Sequence, residues 1–209
     1  MSVTVVTTYI FSRILENNKK KIFLVLPLII NFGIMIIAKY TGFILSNLPG
    51  IENADSVTSK IIVPLGISFY TFQGISYIVD VYRGTIKAQQ SLLKYTIYIS
   101  MFEQLIAGPI VRYETVAEEI QNRKETLNDF MDGFARFVVG LAKKVLLSIS
   151  FGILADTVFD TVGSDADVSV AFCWLGAIAY SLLIFFDFGG YSDMAIGLGL
   201  MFGFHFLEN

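Results

Sequence analysis

Two carboxylates and a tyrosine stand close together in the stretch 187–193 (DFGGYSD), directly after a long apolar run. Ionisable residues at a membrane edge commonly serve function, so Asp187, Tyr191 and Asp193 could line a substrate path. Equally, Asp187 could end the apolar span in water and Asp193 could begin the next helix. Ser192 is not a nucleophile elbow, because that motif needs a glycine two residues later, where this chain has Met.

A second distinctive stretch is 101–113 (MFEQLIAGPIVRY), which is apolar but interrupted by polar residues. Glu103 and Gln104 lie near its start, and Arg112 lies near its end. Gly108-Pro109 breaks any helix, because proline removes a backbone donor and clashes with the preceding turn. Irregular backbone at membrane depth is tolerated only where protein or a water-filled cavity surrounds it. The rest of the chain must supply those surroundings.

The composition indicates a membrane protein. The chain is 55% hydrophobic and only 16% charged, whereas soluble domains contain about 25% charged residues. Uncharged runs at 22–38, 61–79 and 168–186 approach the length that a transmembrane helix needs, and the first can extend to about residue 45. A shorter run at 145–155 is a further candidate. The single cysteine, Cys173, excludes an intrachain disulfide.

The charges in the loops predict the orientation of these spans. Loops 13–21 and 80–94 are rich in Lys and Arg, whereas loops 46–60 and 156–167 carry an excess of acidic residues. Short loops rich in Lys and Arg lie on the cytoplasmic side. The first two loops are therefore predicted to be cytoplasmic and the other two external.

The same rule predicts that segment 95–111 enters the membrane and returns. Residues 112–144 contain six basic residues and are therefore also predicted to be cytoplasmic. Both flanks of segment 95–111 then lie on the same side, and Gly108-Pro109 is where the turn would occur.

Residues 112–144 have the pattern of helices at the membrane surface. Thr115-x-x-Glu118 and Thr126-x-x-Asp129 resemble helix starts of the capping-box type, and apolar residues between 116 and 141 follow helical spacing. We expect helices in the cytoplasmic interface; a helical hairpin facing water is the alternative. The sequence thus predicts an all-α, polytopic transmembrane protein with a re-entrant segment and interfacial amphipathic helices, forming a single transmembrane domain over 1–209.

Two further patterns concern helix packing. Polar residues form a stripe that should face the protein interior, where it either joins helices or lines a tunnel: Tyr70, Gln73, Ser76 and Tyr77. Small residues spaced by four form a row that would let another helix approach closely: Ala195, Gly199 and Gly203.

The sequence offers little for metal or nucleic-acid binding. His205 is the only histidine, and no Cys, second His or carboxylate cluster accompanies it at metal-ligand spacing. We therefore predict no metal site and a structural or interfacial role for His205. The basic residues are scattered among acidic ones, so nucleic-acid binding is not supported.

Three stretches resemble the membrane-bound O-acyltransferases, in particular the alginate O-acetyltransferase branch: 64–84 (PLGISFYTFQGISYIVDVYRG), 104–113 (QLIAGPIVRY) and 186–209 (FDFGGYSDMAIGLGLMFGFHFLEN). The resemblance implies transfer of an acyl group, here acetyl, from a cytoplasmic donor such as acetyl-coenzyme A to hydroxyls of an exported polysaccharide. It also implies a multi-pass protein of the cytoplasmic (inner) membrane, in contact with lipid and with an exported partner acetyltransferase. No bound cofactor is expected.

The resemblance also suggests residues for the lining of a tunnel or donor site: Gln104, Arg112, Tyr113, Tyr191 and Asp193. Arg112 could pair with donor phosphates, because a guanidinium binds phosphate in a bidentate manner. Anchoring under the positive-inside rule is an equal alternative for Arg112.

The chain departs from the family pattern in ways that limit these expectations. Glu103 stands where members usually have proline. The family's catalytic histidine lies in later segments, and His205 falls where members carry Arg or His without a catalytic role. We therefore expect no catalytic residue in this chain, which would be a partial fold without the first spans and the catalytic carboxyl-terminal part, inactive alone. A transporter or channel and a non-catalytic membrane scaffold are the alternative functions.

Overall fold

A computed structural model describes residues 1–47, 63–103, 111–164 and 168–208. Its regular elements in these ranges are all helices, which agrees with the predicted all-α fold. We name them in chain order: α1 (Ser2–Asn17), α2 (Lys21–Ser46), α3 (Ile67–Arg83), α4 (Leu92–Ser100), α5 (Tyr113–Val116), α6 (Glu119–Asn122), α7 (Leu127–Ala142), a π-helical segment (Lys143–Ser148), α8 (Ile149–Gly163) and α9 (Val170–Met201).

Within the described ranges, three helices are long and apolar enough to cross a membrane: Lys21–Leu45, Leu127–Gly163 and Val170–Met201. The first confirms the span predicted from 22–38. The third contains most of the predicted run 168–186 but continues beyond it by fifteen residues, from 187 to 201. The chain is therefore a multi-pass membrane protein.

The predicted span 61–79 differs from the helix that forms there. Residues 61 and 62 lie outside the described part, and α3 comprises the 17 residues Ile67–Arg83. Glycines with positive φ flank it, Gly66 (φ 71°) before it and Gly84 (φ 81°) after it, and such residues are favoured where a helix begins or ends abruptly. At ~1.5 Å per residue, α3 is about 25 Å long.

The region 127–163 forms one continuous helical rod, which the sequence did not predict. Thr126 caps α7 as expected, since its hydroxyl accepts a hydrogen bond from the Asp129 N–H. The predicted start at Thr115 is wrong, because α5 already begins at Tyr113 and ends at Val116. Helix α7 continues through the π-helical segment into α8, so the predicted surface helix and the candidate at 145–155 belong to one element.

Two residues of the predicted re-entrant segment 95–111 lie beside each other. The Tyr98 hydroxyl donates a hydrogen bond of 3.1 Å to the carbonyl oxygen of Val111. The path into the membrane and back stays a prediction. The predicted turn at Gly108-Pro109 lies outside the described residues.

The described residues cluster in two units, one up to Asn122 and one from Arg123 onward. In the first unit, α1 packs on α3 and α2, and the side chains of Tyr70, Gln73 and Tyr77 are buried as the polar stripe predicted. In the second unit, α7, the π-helical segment and α8 pack on α9. The single domain over 1–209 stays a prediction.

Backbone contacts between glycines join α7 and the π-helical segment to α9. A methyl group added at Gly133 would lie 2.6 Å from the carbonyl oxygen of Gly197, and one added at Gly140 would lie 2.6 Å from that of Gly190. We call these four glycines the glycine seam. The predicted row of Ala195, Gly199 and Gly203 is not this seam. Gly199 lies against the Phe206 ring, and Gly203 adopts a positive φ of 77° just after α9.

Candidate functional site

Asp187 and Asp193 lie inside α9, which runs without interruption from Val170 to Met201. The alternative that Asp187 ends the span and that Asp193 begins a new helix is therefore wrong. The helix can carry both carboxylates because cations from the facing helical rod neutralise them, which lowers the cost of holding charge away from water.

Asp193 is held by two cations. The Lys143 ammonium donates to Oδ2 at 2.5 Å, and Arg136 donates to Oδ1 through Nε (3.2 Å) and Nη2 (3.0 Å). The Asp193 side chain is only 17% exposed. Because both carboxylate oxygens already accept hydrogen bonds, Asp193 serves as an anchor for cations and is poorly placed to accept a proton from a substrate.

Arg136 extends this group to a second carboxylate. Its Nη1 and Nη2 donate to the two oxygens of Glu208, at 2.6 and 2.5 Å, in a bidentate pair. The Arg136 guanidinium lowers the pKa of the Glu208 carboxyl, so Glu208 stays ionised at neutral pH. Arg136 thereby ties the segment that follows α9 back to α7.

Asp187 has a separate cation. The Lys144 ammonium donates to its Oδ1 at 2.6 Å and the Ser148 hydroxyl donates to the same oxygen at 3.3 Å. This pair is more open to solvent than the Asp193 group, since the Asp187 side chain is 48% exposed.

The π-helical segment supplies three of the donors to these carboxylates: Lys143, Lys144 and Ser148. In this segment the N–H of Ile149 bonds to the carbonyl oxygen of Lys144, five residues earlier, so each turn holds one more residue than in an α-helix. Such widened turns are frequently found at functional sites. Here the segment carries two adjacent lysines that reach two different carboxylates on α9.

We call Arg136, Lys143, Asp193 and Glu208 the ion-pair group. A cavity of about 620 Å³ opens beside it. One part of its lining is polar, with Lys143, Asp193 and Glu208, and another part is apolar, with Ile184, Phe185 and Phe188. Tyr191 is half-buried on α9, two residues before Asp193. The cavity could hold a ligand with a polar end and an apolar end.

In the first unit, Tyr113 belongs to a buried cluster of aromatic hydroxyls. Its ring packs against Tyr77 and Tyr98, with centroids 5.0 and 5.1 Å away. The Gln89 side-chain amide donates to the Tyr113 hydroxyl at 2.7 Å, and the Gln89 backbone N–H donates to the Tyr77 hydroxyl at 2.7 Å. Burial raises the pKa of Tyr113, so its hydroxyl stays protonated and its role is to hold Gln89.

Tyr113 and Gln89 also line an open cleft of about 700 Å³, which we call the lysine cleft. One wall comes from residues 86–91 with Lys94. The other comes from α5, α6 and the residues around them. Arg112 is exposed and caps the amino terminus of α5, next to Tyr113.

The predicted site residues do not form one described group. Arg112 and Tyr113 lie in the first unit, Tyr191 and Asp193 lie in the second, and Gln104 lies outside the described residues. Sequence reasoning missed the partners of Asp193, although Arg136 and Lys143 are seven residues apart. That spacing equals about two helical turns and places both on one face. Gly133 and Gly140 are also seven residues apart.

The described residues contain no group of three or more His, Cys, Asp or Glu side chains that could hold a metal ion. His205 lies with Nε2 4.0 Å from the Asp129 carboxylate. The structural or interfacial role of His205 stays a prediction.

Glu103 offers a pH-dependent test of the first unit. Burial raises the pKa of its carboxyl, so the folded protein binds this proton more tightly than the unfolded chain does. Stability is therefore lost as pH rises from the usual pKa of about 4.3 through the raised value, and the penalty persists at neutral pH. We expect Glu103→Gln to raise the thermal midpoint at pH 7.5 and to leave it unchanged below about pH 4.

Thermal denaturation in detergent at the two pH values checks this expectation. The matched control is Glu114→Gln, since Glu114 is exposed and its replacement should change the midpoint little at either pH. A Glu103→Gln variant that is less stable than the parent at pH 7.5 would show that the ionised carboxylate makes favourable contacts instead.

Comparison with known proteins agrees with the helical architecture. Residues 87–209 match the membrane-bound O-acyltransferase family. A probable alginate O-acetylase of Azotobacter vinelandii is 40% identical over 190 residues, which is 89% of this chain and 37% of that protein. A peptidoglycan O-acetyltransferase of Helicobacter pylori is 32% identical over 213 residues, covering 89% of this chain and 40% of that protein.

A more distant relative is a teichoic acid D-alanyltransferase of Bacillus subtilis, which is 27% identical over 148 residues, or 69% of this chain and 37% of that protein. The chain thus spans less than half the length of these relatives. The family match nevertheless covers well over half of the chain itself, and it includes the ion-pair group and most of the lysine cleft. The chain belongs to the membrane-bound O-acyltransferase family.

Proposed function

We propose that this protein takes part in O-acetylation of an exported polysaccharide, using acetyl-coenzyme A from the cytoplasm as donor. The observation that carries the proposal is the family match over residues 87–209, together with relatives that are named for O-acetylation of alginate and of peptidoglycan. Both names specify transfer of acetyl to oxygen.

The proposal gives the described residues defined roles. Donor and acceptor lie on opposite sides of a membrane, so the reaction needs a polar path through an apolar layer. Asp193 would hold Arg136 and Lys143 along that path, and Tyr191 would line it. Arg112 and Tyr113 would lie at the donor side, with Gln104 nearby in sequence. The protein would reside in the cytoplasmic (inner) membrane as a multi-pass protein, in contact with lipid and an exported partner acetyltransferase.

The catalytic base would come from outside residues 1–209. A histidine suits transfer to a hydroxyl, because its pKa lies near the working pH, and the resemblance gives His205 no catalytic role. Residues 1–209 alone should therefore transfer no acetyl group. Transfer by this chain that disappears in a His205→Ala variant would contradict this assignment.

The proposed reaction is tested by ester analysis of polysaccharide from cells that express the protein and from cells in which its gene is deleted. We expect ester-bound acetyl on the polysaccharide only in the expressing cells, and recovery when the gene is restored. Equal acetyl content in both strains would contradict the proposal. If the protein were a transporter, deletion would change solute uptake while the ester content stayed the same.

A further inference from the structure

The lysine cleft has the size and composition of a ligand site. Its volume of about 700 Å³ falls within the range of roughly 300–1,000 Å³ that is typical of small-molecule sites. All its lining residues belong to the first unit. The side chains that could bind a ligand are Lys87, Gln90, Ser91, Lys94 and Gln121.

The charge in the cleft is not balanced by neighbouring groups. Neither Lys87 nor Lys94 forms an ion pair with any residue that the structure describes, and Glu114 is the one carboxylate among the lining residues. In the second unit, by contrast, the lysines of the π-helical segment are each paired with a carboxylate on α9. Two ammonium groups that face a concave surface without partners raise the local concentration of anions.

The floor of the cleft is rigid and polar. Gln89 is buried, its amide nitrogen donates to the Tyr113 hydroxyl, and its side-chain oxygen accepts from the Ser91 N–H at 3.0 Å. Since both ends of this side chain are fixed, the cleft wall would need little ordering when a ligand binds. Preformed sites lose less conformational entropy on binding than mobile ones do.

We propose that the lysine cleft binds the phosphate groups of the acyl donor, with Lys87 and Lys94 as the principal contacts. This inference rests on the proposed function, which supplies a soluble donor of the coenzyme A type. The lining favours such a donor over a lipid headgroup, because Ile86 is the only large aliphatic side chain among the lining residues that the structure describes. A bound lipid would need an apolar wall for its chains, such as the wall with Phe185 and Phe188 in the other cavity.

The test measures binding of radiolabelled coenzyme A to the purified chain in detergent, so that acetyl transfer is not required. We expect K87Q/K94Q to raise the Kd about tenfold, since each exposed charge contributes a modest attraction, and K87R/K94R to bind within about twofold of the parent. The matched control is K20Q/K21Q, which removes two exposed charges elsewhere in the first unit and should leave the Kd unchanged. Added salt should weaken binding by the parent more than by K87Q/K94Q.

Two results would overturn the inference. One is an equal Kd for the parent and K87Q/K94Q. The other is retention of the protein on phosphatidylglycerol vesicles that depends on these lysines, without binding of coenzyme A. That result would show that the cleft binds a lipid headgroup. If the polysaccharide is acetylated but coenzyme A does not bind through these lysines, the proposed function stands and the cleft assignment fails. Lysine-dependent binding of coenzyme A, together with equal ester content in the expressing and deleted strains, would support the cleft and contradict the proposed function.

Discussion

Replacing Asp193 with Asn is expected to destabilise the second unit by about 2 kcal/mol, because Arg136 and Lys143 are partly buried and would lose a carboxylate that is only 17% exposed. Arg136 would keep Glu208, but Lys143 would lose the carboxylate to which it donates. The two cations would then repel each other beside a helix that is packed by backbone contact. Thermal denaturation in detergent should show the midpoint lowered by on the order of 5–10 °C.

Asp187→Asn is the matched control for this prediction, since it removes the same charge from the same helix. Asp187 is 48% exposed and pairs with Lys144. Ion pairs that are this exposed to solvent contribute about 1 kcal/mol or less to stability. Its midpoint should therefore fall much less. If the two variants were equally stable, the contacts of Asp193 with Arg136 and Lys143 would not stabilise the fold as described.

Gly190→Ala should also weaken the second unit, by roughly 1–3 kcal/mol. The added methyl group would lie 2.8 Å from the carbonyl oxygen of Gly140 and 3.1 Å from the Lys144 backbone nitrogen. Both atoms belong to backbone, which cannot swing aside as a flexible side chain can. The helices would have to separate, and the separation would also lengthen the Lys143–Asp193 and Lys144–Asp187 pairs.

The neighbouring glycine provides the control for the glycine seam. A methyl group at Gly189 would meet nothing within 4 Å, and alanine is favoured over glycine in a helix by about 1 kcal/mol. Gly189→Ala should therefore raise the midpoint while Gly190→Ala lowers it. The same direction of change in both variants, measured by thermal denaturation, would contradict the close approach of the two helices at Gly190.

Much of the fold could be predicted from local pattern. Apolar runs predicted the spans within 21–45 and 170–201, because lipid requires a long uncharged stretch whatever the tertiary structure. The polar stripe predicted that Tyr70, Gln73 and Tyr77 face the protein interior. The cap at Thr126 followed from its own side chain and the Asp129 N–H, which are local to one turn.

The missed features depend on contacts between distant residues. Asp187 resembled the end of a span, because nothing near it in sequence shows that Lys144 lies 2.6 Å away. The glycine seam pairs residues that are 50 or more positions apart, so the row at Ala195, Gly199 and Gly203 was the stronger local pattern. The sequence did not predict the π-helical segment, whose six residues pack on α9.

The ion-pair group and the glycine seam have a common physical basis. Glycines let α9 approach the rod 127–163 closely, and the short distance allows Lys143 to reach Asp193 without a gap. The ion pairs in turn offset the cost of charge within two helices long enough to cross a membrane. Loss of either feature should weaken the other, so Asp193→Asn and Gly190→Ala should combine non-additively.

The most direct test of the proposed reaction uses inverted membrane vesicles that are prepared from cells expressing the complete gene and that contain the polysaccharide. Acetyl-coenzyme A labelled in the acetyl group is supplied from the face that was cytoplasmic, and the polymer is then isolated. The account predicts label in alkali-labile ester on the polymer, at levels that depend on the protein. Label that stays in the donor or enters the vesicles as free acetate, with none esterified to polymer, would contradict membrane O-acetylation as its function.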